Sequence, residues 1–202
     1  MIDLFENKLD LSNIVCHSGG ALGSDSFWEE EGAEFGVKTR AYSYKTKSHK
    51  SPNKIEISDA DFSEGVEAIK KANKTLMRFG IEKYINLLAR NWAQVKYSDE
   101  IFAIGTIIEP GKKGARGYNK SKYQIVDGGT GWAVQMAIDN EKVVYVFDQK
   151  RNNWFRWSYT SESFISCDAP RIKSQNFAGI GTREIEQNGI LAIQEVYKLT
   201  FN

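Results

Sequence analysis

Two nearly continuous apolar runs constrain this chain more than any other feature. Residues 100–108 read EIFAIGTII and residues 143–148 read VVYVFD. A strand with one wet face alternates apolar and polar residues, whereas these runs need apolar cover on both faces. That cover comes from helices, and residues 81–96 supply the clearest one. Tyr84, Leu88, Trp92 and Val95 form one stripe there, with Ile85 beside it. Strands that need cover, alternating with amphipathic helices, imply a mostly parallel sheet with helices on both faces.

The rest of the chain fits this frame. Residues 13–17 (NIVCH) read as a buried strand and residues 24–35 as a helix capped by Ser24 or Asp25 and closed by Gly36. Residues 37–44 predict the next strand, followed by a polar loop to about Asp59. Ser58 and Asp61 resemble a capping box before a helix over 62–79, which Gly80 ends. A basic, glycine-rich loop spans 109–125, and a helix is expected over 131–140. Residues 153–159 and 163–167 predict short antiparallel strands, a small elaboration around 150–170. Residues 171–180 end in one more apolar strand, and residues 183–199 predict a final helix. No repeat or linker divides the 202 residues, so one Rossmann-like α/β domain over 1–202 is expected.

Composition excludes several classes. With 41% hydrophobic and 26% charged residues the chain resembles an ordinary globular protein. No apolar run approaches the roughly 20 residues of a membrane span. The acidic start MIDLFENKLDL lacks the pattern of a secretory signal, and two cysteines without close spacing suit a reducing, cytoplasmic setting. No His or Cys spacing points to a metal site, and no cofactor is implied. The net charge of +1 places a nucleic-acid partner below a small ligand. The charge is nevertheless uneven: residues 38–54 hold six Lys and Arg, and residues 111–122 hold Lys112, Lys113, Arg116, Lys120 and Lys122, both without an acid. Acids gather at Glu29, Glu30, Glu31 and Glu34.

Three glycine-rich turns carry the functional expectation: HSGGALGSD (17–25), VDGGTGWA (126–133) and FAGIGTRE (177–184). Each precedes a helix, and the first and third follow an apolar strand. Glycines let a backbone approach a ligand closely, and amides at a helix N-terminus favour an anion. In an open parallel sheet such turns share the edge at the carboxyl ends of the strands. The candidate ligand-binding set is Ser18, Gly19, Gly20, Gly23, Ser24, Gly128, Gly129, Thr130, Gly131, Gly179, Gly181 and Thr182. Arg90, Arg116 and Arg183 are candidate phosphate partners. Arg183 opens the final helix, where it would oppose the helix dipole. Trp132 reads either as a stacking platform for a base or as a packed core aromatic. Asp25 and Asp127 are the candidate catalytic carboxylates, and Asp25 alternatively caps its helix. His17, Cys16 and His49 read as structural, buried and solvated respectively. The third turn does not complete GxGxxG because Glu184 stands at its last position, and the first lacks the Lys-Ser/Thr pair of a P-loop.

The segment SGGALGSDSFWEEEGAEFG resembles the glycine turn of the DprA/Smf DNA-processing proteins. VDGGTGWAVQ resembles the PGGxGTxxE motif of the LOG-type phosphoribohydrolases. Together they resemble the SLOG superfamily, which implies a Rossmann-like fold binding nucleotides or nucleotide-derived ligands. FAGIGTRE resembles the first strand and turn of such proteins, so its place near the C-terminus implies an altered strand order. On PGGxGTxxE, Gly128, Gly129 and Gly131 match, while Asp127 replaces Pro, Trp132 replaces Thr and Gln135 replaces Glu. Gln135 removes the carboxylate on which LOG-type cleavage relies. The first expectation is therefore nucleotide binding, by a sensor, a sequestering module or an enzyme. The second is N-glycosidic hydrolysis through Asp25 or Asp127. The third is an accessory protein binding single-stranded DNA through the basic loops. The aromatic segment Trp154, Phe155, Trp157 and Tyr159 forms a hairpin core or a homo-oligomer face.

Overall fold

The computed structural model describes residues 10–46, 49 and 51–202. Residues 1–9, and Lys47 and Lys50 of the first basic run, lie outside the described residues. In chain order the strands and helices begin with β1 (Val15–Ser18), α1 (Ser24–Glu34), β2 (Lys38–Ser43), β3 (Lys54–Glu56), α2 (Asp59–Leu76) and α3 (Ile85–Lys96). They continue with β4 (Glu100–Gly105), β5 (Ile107–Ile108), β6 (Lys113–Gly114), β7 (Gly117–Tyr118), β8 (Ile125–Val126) and α4 (Thr130–Asp139). The chain closes with β9 (Val143–Asp148), β10 (Asn153–Ser158), β11 (Ser163–Cys167), β12 (Asn176–Gly181) and α5 (Gln187–Phe201).

Eight strands form one sheet in the order β11-β10-β9-β4-β12-β1-β2-β3. The six strands from β9 to β3 are parallel, and β10 and β11 add an antiparallel edge. The fold is thus a Rossmann-like α/β sandwich, as the apolar runs imply. All six residues of β4 are buried because both faces are covered. On one face α1 and α5 enclose Trp28, Phe102, Phe177 and Tyr197, and the Tyr197 hydroxyl donates to the Trp28 carbonyl at 2.8 Å. On the other, α2, α3 and α4 pack Ile69, Leu88, Val134 and Met136 against the sheet. The strand order is altered as expected: β12 inserts between β1 and β4, with its register set by Ala178 beside His17 and Ile101.

Several boundaries differ from the sequence expectation. The run 100–108 breaks after Gly105, where the Ile107 amide donates to the buried Asp148 carboxylate at 3.0 Å and β5 turns away to pair with β8. The polar loop before α2 contains the exposed edge strand β3, whose single apolar residue, Ile55, gives too little pattern to mark a strand. Ser58 caps α2 as predicted, accepting from the Asp61 amide at 3.0 Å. That helix ends with Met77 left-handed at φ 51°, and a 3-10 turn over Ile81–Tyr84 precedes α3. The basic loop 109–125 is a hairpin, with Lys113 opposite Tyr118 and Gly114 opposite Gly117. The final helix starts at Gln187, so Arg183 lies in the preceding turn and does not oppose its dipole.

Candidate functional site

The three glycine turns meet at one edge of the sheet. β1, β12 and β4 are neighbours, and the turns follow β1 and β12 or lie against the end of β4. The order in which successive strands are added reverses here: β2 and β3 lie beyond β1 on one side, β4 and β9 beyond β12 on the other. Ligands of open α/β sheets bind at such a switch point. The first and third turns interlock. The Ser24 amide and hydroxyl both donate to the Thr182 carbonyl, at 3.0 and 2.8 Å. A Cβ on Gly23 would lie 2.6 Å from the Arg183 backbone, and one on Gly181 would lie 2.5 Å from Ser24 Oγ. The second turn reaches the same edge through Val126 and Thr130, which lie against Gly105.

Asp25 sits at the centre of the interlocked pair. It is not the helix cap, a position taken by Gly23 at φ 100° without a side-chain cap bond. Its carboxylate accepts from the Ala21 amide at 3.4 Å and the Gly181 amide at 3.2 Å, and Arg90 Nη1 approaches to 3.8 Å. Arg90 spends its short hydrogen bond, 2.7 Å, on Gln94 Oε1. Burial raises the Asp25 carboxyl to about 6, and the loose contact with Arg90 only partly opposes this. Burial likewise lowers Arg90, with Asp25 opposing and Arg183 adding to the fall. Arg90 occupies the space a side chain on Gly19 would need, and His49 occupies that beside Gly20.

Glu29, one of the four acids gathered along α1, lies one helical turn after Asp25 and belongs to the same cluster. It is buried and accepts from Ser18 Oγ at 2.7 Å and Ser51 Oγ at 2.5 Å. The signal was its i, i+4 spacing from Asp25. Ser18 also accepts from the Gly20 amide at 3.1 Å, so it braces the first turn.

The second turn is held differently. Arg78, inside a predicted helix and therefore missed, donates to the Gly128 carbonyl at 2.6 Å and the Val126 carbonyl at 2.8 Å. Its guanidinium lies 5.7 Å from the Trp132 ring centroid. Trp132 is 4% exposed and packs in the core, so it is not at a pocket mouth and offers no face to a base. Asp127 accepts from the Gly128 amide at 2.8 Å and the Ala115 amide at 2.5 Å, stapling the hairpin to the turn and placing Arg116 beside it. Asn91, next to Arg90 on α3, reaches the Gly129 carbonyl at 3.5 Å and joins the two halves of the site. Beside Gly128 and Gly129 there is open space, with no heavy atom within 4 Å of a side chain placed there. The Gly129 and Thr130 amides have no backbone or side-chain acceptor among the described residues.

Other candidates fall elsewhere. Gly179 lies within β12, where a Cβ would strike Trp28 at 2.5 Å, so it seats α1 on the sheet. Gln135 is buried and donates to Asp139 at 2.8 Å, away from the turn. His17 is buried between Tyr42 and Asn176, and burial lowers its pKa. Both cysteines are free. Two surface depressions of about 420 and 160 Å³ share Tyr123 and Glu162, and no residue of the three turns lines either. Among the described residues there is no metal-ligand cluster, and no helix is long and apolar enough to cross a membrane. Comparison with protein-family models, curated proteins and solved structures finds no match.

Proposed function

We propose that this chain binds a nucleotide or nucleotide-derived ligand in the manner of a SLOG-like protein, at the shared edge of β1, β12 and β4. The observation that carries this is the division of labour between the turns. At the first and third, Asp25 already accepts from the Ala21 and Gly181 amides, so an added anion would meet a carboxylate. At the second, the Gly129 and Thr130 amides open α4 beside empty space, with Arg116 near. Phosphate therefore belongs at Gly128–Thr130, and the ribose hydroxyls belong at Asp25 and Arg90. The test is a thermal-shift screen of mono-, di- and cyclic nucleotides and ADP-ribose derivatives, followed by calorimetry. A ligand at about 100 times its Kd stabilises by about 2.7 kcal/mol. Failure of every nucleotide to raise the melting temperature refutes the reading.

A second reading, N-glycosidic hydrolysis, is favoured by the buried pair Asp25 and Glu29. A carboxyl raised to about 6 is suited to deliver a proton near neutral pH. It predicts release of free base from a bound nucleotide, detected by chromatography and abolished by Asp25→Asn. Binding without any released base refutes this reading and leaves the first standing.

A further inference from the structure

The nucleotide reading leaves the two depressions around Tyr123 and Glu162 unused. The smaller, of about 160 Å³, is lined by Tyr123, Gln135, Ile138, Asp139, Trp157 and Glu162. Gln135 and Asp139 stand four residues apart on α4, and Asp139 is the last residue of that helix. The depression therefore lies at the opposite end of α4 from Gly129 and Thr130, the end where the helix dipole favours a cation.

The polar groups gathered here are acceptors. Gln135 is 6% exposed, and its Nε2 donates to Asp139 Oδ1 at 2.8 Å. Its Oε1 accepts no hydrogen bond among the described residues, and Asp139 Oδ2 is buried with no partner either. Burial raises the Asp139 carboxyl, with the Gln135 bond and Lys71 opposing. Neither Asp139 nor Glu162 makes an ion pair among the described residues. Lys71 donates to the Asp139 main-chain carbonyl, and Lys122 lies 4.7 Å from the Tyr123 ring centroid. Glu162 is held at φ 49°, a left-handed conformation that a side chain disfavours, and accepts from the Tyr123 hydroxyl at 3.4 Å.

Acceptors without donors at the wall of a depression are matched by a ligand that brings donors and positive charge. Trp157 and Tyr123 offer rings to a cation, and Ile138 offers apolar surface to an alkyl chain. A metal ion would gain nothing from that apolar wall, and no group of metal ligands gathers among the described residues. An anion would meet two carboxylates.

We propose that this depression binds a small primary alkylammonium ion. The ammonium pairs with the Asp139 carboxylate and donates to Gln135 Oε1, the chain lies against Ile138 and Trp157, and Glu162 adds its charge at the mouth. The site shares no residue with Gly128–Thr130, Asp25 or Arg90, so it and the nucleotide reading can fail separately. The test is a titration of the full chain with n-butylammonium chloride at constant ionic strength. It is followed by the Gln135 side-chain amide and Trp157 indole signals in proton–nitrogen correlation spectra. Both signals should shift and saturate with a Kd of about 1 mM, as a ligand of so few atoms allows. The neutral n-butanol should bind about 10-fold more weakly or worse, and potassium chloride should shift neither signal. Asp139→Asn keeps an oxygen for Gln135 and should weaken binding about 10-fold. Glu162→Gln changes only an exposed side chain, should weaken binding about 2- to 5-fold, and decides in its place should Asp139→Asn not fold. The proposal is overturned if n-butanol binds as well as the ammonium, or if no saturable shift appears by about 100 mM. It is also overturned if the folded Asp139→Asn variant, or Glu162→Gln in its stead, binds like the parent.

Discussion

Asp25→Asn isolates the charge held beneath the first and third turns. In the folded chain burial raises this carboxyl from 3.8 to about 6. Between these values the native state holds a proton that the unfolded chain has released. Stability therefore falls as pH rises through this window: the contribution is complete below about 4 and lost above about 6. The rise corresponds to about 3 kcal/mol across the window. Asn keeps an oxygen for one of the two amides, at Ala21 or Gly181, but does not titrate. Urea unfolding, followed by tryptophan fluorescence at a series of pH values, gives the stability of both proteins. Subtracting the variant removes other titrations common to both. The parent should gain about 3 kcal/mol relative to Asp25→Asn on going from pH 7 to pH 3, most of it by pH 4. A difference that stays flat within about 0.5 kcal/mol, or that grows with pH, refutes the claim that burial outweighs the Arg90 contact.

Gly181→Ala places a Cβ 2.5 Å from Ser24 Oγ and 2.7 Å from the Ile104 carbonyl, and chemical denaturation should show a loss of about 1–3 kcal/mol. Gly129→Ala meets nothing within 4 Å at a φ of −65°, so its melting temperature should hold while nucleotide binding measured by calorimetry is lost. Arg78→Ala removes two charged hydrogen bonds from the second turn. It should cost about 2 kcal/mol or more and speed hydrogen exchange at residues 128–131, read by mass spectrometry. The Cys16 thiol, fully buried and raised by burial, should react with Ellman's reagent only on unfolding, whereas the half-buried Cys167 reacts first. Equal reaction rates in the native protein would contradict that burial.

The sheet was legible because β4 and β9 are buried on both faces, a condition that leaves an unbroken apolar pattern. β3 was not, because an exposed edge strand is specified by pairing to β2 and not by its own side chains. The convergence of the first and third glycine turns followed from their position after parallel strands, whereas the second arrives through the antiparallel β5–β8 pair. The roles of individual residues followed less well, since they depend on partners distant in sequence. Arg78 acts on a turn about fifty residues away, and no local pattern marks it. Trp132 read either as a stacking platform or as a packed core aromatic, and the first turn of α4 points it into the core beneath Arg78. Glu29 looked like one acid among four, although only its spacing places it opposite Ser18 and Ser51.

The glycines of the three turns separate into two physical kinds, and that separation decides where a ligand can sit. At Gly23, Gly131, Gly179 and Gly181 the missing side chain is replaced by protein: the Arg183 backbone, the Val126 carbonyl, Trp28 and Ser24. Those glycines are accounted for by packing alone and carry no information about a ligand. At Gly128 and Gly129 nothing fills the space, although Gly128 is held at φ 64° and Gly129 opens a helix. Open space beside free amides is what close approach of a phosphate requires. The buried carboxylates at Asp25 and Glu29 point the same way, because burying charge is costly and the first turn is thereby closed to anions. Under the proposed nucleotide-binding reading, the phosphate is therefore expected on the α4 side, with the rest of the ligand reaching across Asn91 toward Arg90, and not in the first turn as its glycine pattern alone suggests.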